Sequence, residues 1–202
     1  MRKIYIVAAI FTMFFALPAA ADEVSCGKFV SNMTNRTVDV FHDSKQNEVQ
    51  KRKQLSTIFQ EAVDTDWIGK FVLGRFWKTA SADEKVQYLK IYRTYITNNY
   101  VSKFNDEDAM SVDEIKVLSL APQQAAGQFE AKTLIVRKTD DDVHVDYLLD
   151  QTSGKCQVHD IKVEGVSLIT SQRSEFGTVA GNSGVKGVIE AMQKKLDNAS
   201  EK

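Results

Sequence analysis

Apolar positions recur at helical spacing through the first half of the chain and alternate with polar ones through the second. Phe29, Met33, Val40 and Phe41 mark an amphipathic helix from Cys26 to Phe41, and Leu55, Ile58, Phe59 and Ala62 mark another after a polar break at 43–48. Asp64 or Thr65 caps a third helical segment. Ser81 and Glu84 have the spacing of a capping box, which predicts a long helix reaching about Phe104. On it Val86, Leu89, Arg93, Ile96 and Tyr100 fall near one line, with Tyr88, Tyr92 and Tyr95 beside them. Four strands follow, over 112–119, 128–138, 142–150 and 156–169. In the third, Val143, Val145, Tyr147 and Leu149 share one face and His144 and Asp146 the other. Short connections between these strands predict an antiparallel meander. Gly177, Gly181, Gly184 and Gly187 loosen the chain before a last helix bearing Val188, Ile189, Met192 and Leu196. The expected fold is α+β: a curved antiparallel sheet of four strands or slightly more, packed on a mainly N-terminal helical layer and followed by a C-terminal helix.

One stretch concentrates the apolar surface. DWIGKFVLGRFW, residues 66–77, holds both tryptophans of the chain together with Phe71 and Phe76. Gly69 and Gly74 interrupt it, and each weakens a helix by about 1 kcal/mol relative to alanine. So much apolar area on a glycine-notched element points to a close approach or to a binding wall.

The N-terminus bears on compartment. Arg2 and Lys3 precede an uncharged run from Ile4 to Leu17, then Pro18 and three alanines. This is the pattern of a secretory signal peptide over residues 1–21, cleaved after Ala21, and it predicts one exported domain over 22–202. A lipid anchor on Cys26 is excluded by Glu23, which puts a charge where a lipobox is apolar. Loss of Arg2 and Lys3 takes 26 basic residues to 24 against 27 acidic ones, a formal charge of −3. That balance argues against a nucleic-acid partner. Cys26 and Cys156, the only cysteines, form either a disulfide suited to an oxidising compartment or two buried thiols.

Candidate chemistry is sparse. His42, His144 and His159 lack a second ligand at metal spacing and read as surface or edge histidines. Asp140, Asp141 and Asp142 lack the spacing of a calcium loop and read as a solvated turn. One enzymatic arrangement survives on architecture alone, a ketosteroid-isomerase-like cone with Asp146 as base and Tyr95 or Tyr147 stabilising an oxyanion. Adjacent strand residues point to opposite faces, which separates Asp146 from Tyr147 and weakens it.

Three motifs together resemble the MlaC family, also known as toluene-tolerance or Ttg2 proteins. They are FVLGRFWKTASADE at Phe71 to Glu84, HVDYLL at His144 to Leu149, and VHDIKVEGVSLITSQRSEF at Val158 to Phe176. The resemblance covers the chain from about Phe29 to the last helix. It implies an NTF2-like outline and a periplasmic phospholipid carrier without catalytic residues or cofactor, the bound phospholipid being the ligand. It also implies partners: an outer-membrane lipoprotein–porin complex and an inner-membrane ABC transporter with an MCE-domain subunit. A carrier of another amphiphile, such as a hopanoid-like lipid, is the alternative. A diacyl lipid carries on the order of 30 methylenes at about 0.8 kcal/mol each, so some 25 kcal/mol of apolar transfer must be matched by a large, nearly uncharged cavity.

On this resemblance one pocket wall is expected from Val145, Tyr147, Leu149, Val166 and Leu168, the last two alternating with Gly165 and Ser167 along a fourth strand. Leu73, Phe76, Trp77, Tyr88 and Tyr92 are expected as the opposite wall. Arg75 and Arg173 match the arginines of the LGR and RSxF motifs, as headgroup or partner contacts or as structural residues paired with Glu164, Glu175 or Asp160. Lys51, Arg52 and Lys53 read as the solvated face of their helix. Two departures from the family stand out. Gln172 occupies a position that is often tyrosine, and Cys156 and His159 replace an aromatic anchor and a tyrosine. Bonded to Cys26, Cys156 staples the first helix to the sheet in place of aromatic packing.

Overall fold

The computed structural model describes residues 19–102, 111–152 and 154–200. Most of the expected leader and the expected end of the long helix at Phe104 lie outside these. The elements are α1 (Ala19–His42), α2 (Glu48–Ala62), α3 (Thr65–Leu73), α4 (Arg75–Thr79), α5 (Ala82–Val101), β1 (Val112–Pro122), β2 (Gln128–Arg137), β3 (Val143–Asp150), β4 (Gln157–Val163), β5 (Val166–Ser167) and α6 (Leu168–Ser200). The fold is α+β, with one antiparallel sheet in the order β1-β2-β3-β4-β5.

Local chemistry sets the helix starts. The Ser81 hydroxyl accepts from the Glu84 amide at 3.2 Å and the Glu84 carboxylate accepts from the Ser81 amide at 2.8 Å, the reciprocal capping box that opens α5. Asp64 accepts from the Trp67 amide at 2.9 Å and opens α3. Asn47 and Gln50 form a second capping box for α2, hidden in what reads from sequence only as a polar break.

Two expectations change in the last third of the chain. The strand predicted over 156–169 ends at Val163, because Glu164 (φ 48°) and Gly165 (φ 77°) make a two-residue hairpin turn with both residues left-handed. The Glu164 amide donates to the His144 carbonyl at 3.0 Å while its carboxylate accepts from the His144 amide at 2.6 Å, which holds a non-glycine residue in that conformation. Val166 pairs back on Val163, and Ser167 then caps α6 by accepting from the Thr170 amide. The last helix therefore begins some twenty residues earlier than the glycines suggest. Gly177 and Gly181 lie inside it, where burial of Phe176, Ala180, Val188 and Met192 overrides their low propensity. Only Gly184 (φ 65°) kinks it.

The aromatic stretch gives its aliphatic residues to a helical core: Ile68, Val72 and Leu73 are buried, whereas Trp67 is exposed and Phe71, Phe76 and Trp77 are half-buried. Gly69 lets α3 lie on α5: a Cβ there would meet the Tyr92 ring at 2.9 Å and Leu89 at 3.1 Å. The Tyr88 hydroxyl donates to the Gly69 carbonyl at 2.8 Å, and the Tyr88 and Tyr92 rings stack at 5.5 Å. The line carrying Tyr88, Tyr92 and Tyr95 is thus the buried face of α5, whereas Val86 is exposed and Arg93 pairs at the surface with Asp66. α6 closes this layer against α3 and α5 through Phe176, Val188 and Met192.

Cys26 and Cys156 are bonded, with Cα atoms 5.4 Å apart, and tie α1 to the residue before β4. In the chain-entropy account a closed loop of this length, 130 residues of separation, contributes about 5 kcal/mol, and removing a native disulfide costs about 2–5 kcal/mol. Replacing both cysteines by serine should lower the free energy of urea unfolding by that amount; a change below about 0.5 kcal/mol would contradict the role of the bond. Gly69→Val should cost about 1–3 kcal/mol by forcing α3 from α5, read as a lowered melting temperature, while an unchanged value would contradict the contact.

Candidate functional site

A cavity of about 240 Å³ opens between the sheet and the first two helices. The sheet contributes Ile115 from β1, Ile135 from β2, Val145 and Tyr147 from β3, and Val158, Ile161 and Val163 from β4, with Leu168 at the start of α6. Opposite them stand Met33, Thr34 and Thr37 of α1, Leu55, Ile58, Phe59 and Ala62 of α2, and Val63. Tyr100 and Val101 of α5 complete the lining. Strand alternation explains the sheet side: Tyr147 pairs with Ile161 and Val145 with Val163, so both pairs share the face toward the helices. The outward face is ionic, with Lys162 bonded to Glu130 at 2.7 Å and Asp146 in register with Lys132 and Lys162.

No charged side chain lines this cavity among the described residues, and its polar atoms are bonded within the protein. Thr34 and Thr37 donate to the Val30 and Met33 carbonyls at 3.0 and 2.9 Å. The Gln172 amide donates to the Tyr100 hydroxyl at 3.2 Å. Tyr147 shares a hydrogen bond with Thr133, and burial pushes its phenol up to about 12; burial also raises Tyr100. Both phenols are neutral near pH 7, and the cavity offers apolar surface rather than a base or a nucleophile.

The structure brings Val145, Tyr147 and Leu168 to this cavity and places the other expected wall residues elsewhere. Leu149 lies on the same sheet face but is sealed beyond the cavity's end, against Phe129 and Val158. Val166 is 58 % exposed at the β4–β5 hairpin, because the strand on which it was expected to alternate with Leu168 turns at Gly165. Leu73, Tyr88 and Tyr92 are fully buried in the α3–α5–α6 core, and Phe76 and Trp77 pack on its edge. The wall facing the sheet comes instead from α1 and α2, whose amphipathic spacing is plain in the sequence. What the sequence lacks is any signal for which helical layer faces the concave sheet.

The motif arginines also have defined places. Arg173 donates to the Phe71 carbonyl at 3.0 Å, stacks over the Phe71 ring at 4.5 Å and rests against Gly74. Gly74 has φ 56° and ψ −124°, a conformation in which a side chain is strained. The LGR and RSxF motifs therefore meet at one corner. Arg75 lies over the Phe76 ring at 4.9 Å. The acids expected as their partners are engaged elsewhere: Glu164 with His144, Glu175 with Lys195, and Asp160 with Ser167. Gln172 is buried, accepting from Tyr92 at 2.6 Å and donating to Tyr100, so an amide bridges two phenols where an aromatic was expected. In the basic run Lys51 donates to the Phe41 carbonyl and Arg52 pairs with Glu48. Asp146, on the outward face, does not meet Tyr147 or the helical Tyr95.

His159 departs furthest from expectation. It is buried rather than at the surface, stacked on Trp67 with centroids 4.1 Å apart. It lies 3.7 Å from an Asp64 carboxylate oxygen on one side and 3.8 Å from an Asp150 oxygen on the other. Its place in a β-bulge, between Val158 and Asp160, turns it toward α3. Burial holds its pKa below the usual 6.5, against the opposing pull of Asp150 and Asp64. Burial raises Asp150 as well, but hydrogen bonds from Thr152 and Gln128 outweigh it and leave that carboxyl lowered.

Two comparisons complete this description. The sequence model of a family described as MlaC protein matches residues 31–194. A solved structure from Ralstonia solanacearum, a phospholipid-binding protein in complex with a phospholipid, superposes with a TM-score of 0.71 at 16 % identity, over 87 % of this chain and 99 % of that one. At that identity the likeness establishes the fold.

A depressed native pKa makes the His159 contribution fully present above about pH 6.5 and lost as pH falls through the lowered value, since the unfolded chain then binds more protons. His159→Gln should therefore flatten the fall in unfolding free energy between about pH 7 and about pH 5. Parallel pH profiles for the two proteins would contradict this.

Proposed function

Because the chain belongs to the MlaC family, we propose that it is a phospholipid carrier, with acyl chain held between α1, α2 and the sheet. The observation that carries this reading is the cavity: uncharged, and with its polar atoms satisfied by the protein itself, so that a hydrocarbon tail displaces water without stranding a polar group. The family supports transport as the task, and the phospholipid in the R. solanacearum protein supports the ligand class. The leader-like N-terminus and the disulfide favour the periplasm, where the chain from Asp22 onward acts as one domain. In this reading the protein is a binding and transport component rather than an enzyme. It passes lipid between an outer-membrane lipoprotein–porin complex and an inner-membrane MCE-domain ABC transporter, and so maintains outer-membrane lipid asymmetry.

Val145, Tyr147 and Leu168 contact the tail together with Met33, Ile58, Phe59 and Ile161. Leu73, Phe76, Trp77, Tyr88 and Tyr92 act one layer away, as the core that keeps the helices from collapsing into the cavity. Arg75 and Arg173 are structural residues of the corner at Gly74.

Protein exported to the periplasm, purified and extracted under denaturing conditions should release diacyl phospholipid detectable by mass spectrometry. Leu168→Glu should cut the retained lipid at least tenfold with little change in circular dichroism, because a half-buried position on the cavity wall tolerates a charge when the cavity is wet. A wild-type protein that is consistently empty contradicts the carrier reading, and a different amphiphile in the extract, such as a hopanoid-like lipid, replaces its ligand.

A further inference from the structure

The two ends of the cavity are built differently. At one end Ile115 and Ile135 pair across β1 and β2 and are half-buried. Ile135 is level with Val143 of β3. At the other end Leu149 and Val158 pair with no exposed surface, and Phe129 beside them is nearly as buried. There Val63, in the link between α2 and α3, bridges onto Val158, and the Asp64 amide donates to the Val158 carbonyl at 3.1 Å. Three fixtures therefore hold that end: the backbone bridge, the disulfide at Cys156 two residues before Val158, and His159 one residue after it, between Asp64 and Asp150.

We propose that this sealed end is a fixed floor and that the cavity measures acyl-chain length against it. The inference rests on the reading of the cavity as an acyl site. A tail enters methyl end first at the Ile115–Ile135 level and runs along Val145 and Tyr147 until it meets Val63 and Val158. The run from the Val143 level to Leu149 is six residue steps of one strand, about 20 Å at about 3.3 Å per residue. One leaflet of a bilayer is about 15 Å of hydrocarbon, half of the roughly 30 Å core, so the floor lies near the depth that a membrane tail occupies. The cavity volume, about 240 Å³, is below the roughly 300–1,000 Å³ usual for drug-sized ligands, which leaves no room for two tails in this conformation. A tail shorter than the lane gains about fourfold in affinity for each added methylene. A tail longer than the lane gains nothing more, because its extra carbons stay outside.

The test uses monoacyl phosphatidylglycerols with laurate, myristate, palmitate or stearate, offered to delipidated protein and ranked by competition in native mass spectrometry. For the wild type, occupancy should climb with chain length and then level off. Ala62→Phe adds bulk to an existing space beside Val63 at the floor, and should level off at least two methylenes earlier while still binding the shorter lipids. Val158→Ala should move the plateau the opposite way, and keeps the test decisive if the phenylalanine variant fails to fold. Folded variants whose plateau coincides with that of the wild type, or a wild type whose occupancy is independent of chain length, overturn the fixed floor and leave the carrier reading standing. A wild type that binds none of the lipids and co-purifies with none overturns the carrier reading instead.

Discussion

The bond between Cys26 and Cys156 fixes α1 against the sheet at one end of the cavity, and the cavity depends on α1 lying there. An apolar hollow facing water tends to close, since each contact between its walls removes surface that costs about 25 cal/mol per Å² to expose. It stays open only when its walls are held by interactions outside it. Here α1 is held covalently at the sealed end, and α2 is held through Val63 on Val158. Behind β4, the α3–α5–α6 core is packed around Tyr88, Tyr92 and Phe176. This packed core, which stabilises the protein, is thus separate from the surface that lines the cavity.

That division explains which parts were legible in the sequence. The α+β order, the Ser81–Glu84 capping box and the β3 alternation follow from local rules, and each appears where it was read. The turn at Glu164–Gly165 was missed because an unbroken β-like apolar pattern on both sides masked a dipeptide of turn residues. The start of α6 was missed because glycines were weighed by propensity, whereas Phe176 and Ala180 hold them in a helix by packing. The cavity itself was half legible. Its sheet face follows from the period of two, so Val145 and Tyr147 are found. Its helical face depends on which of two amphipathic helical layers stacks over the strands, a tertiary choice without a local signature. The richest apolar segment, DWIGKFVLGRFW, suggested a binding wall; it lies outside the cavity lining, with Ile68, Val72 and Leu73 buried in the helical core and its four aromatics exposed or half-buried. Gly69 serves a close helix contact, and Gly74 an otherwise strained turn beside Arg173.

The three residues read as departures from the family pattern also find physical accounts. Cys156 forms a covalent staple to Cys26. His159 keeps a flat ring against Trp67 while placing two nitrogens near carboxylates. Gln172 keeps the link between α6 and α5 through hydrogen bonds to Tyr92 and Tyr100 rather than through ring packing. Each of the three joins separate elements, and none lies in the lining of the cavity.

The central claim is that a lipid tail lies between α1, α2 and the sheet, not in the aromatic helical layer. Photo-crosslinking with a phosphatidylglycerol bearing a diazirine near the end of one acyl chain, followed by peptide mapping, tests it most directly. Adducts are predicted on the segments carrying Met33, Ile58, Phe59, Tyr147, Val158 and Ile161. Adducts concentrated on the segments carrying Trp67, Phe71, Trp77, Tyr88 or Tyr92 would contradict the account.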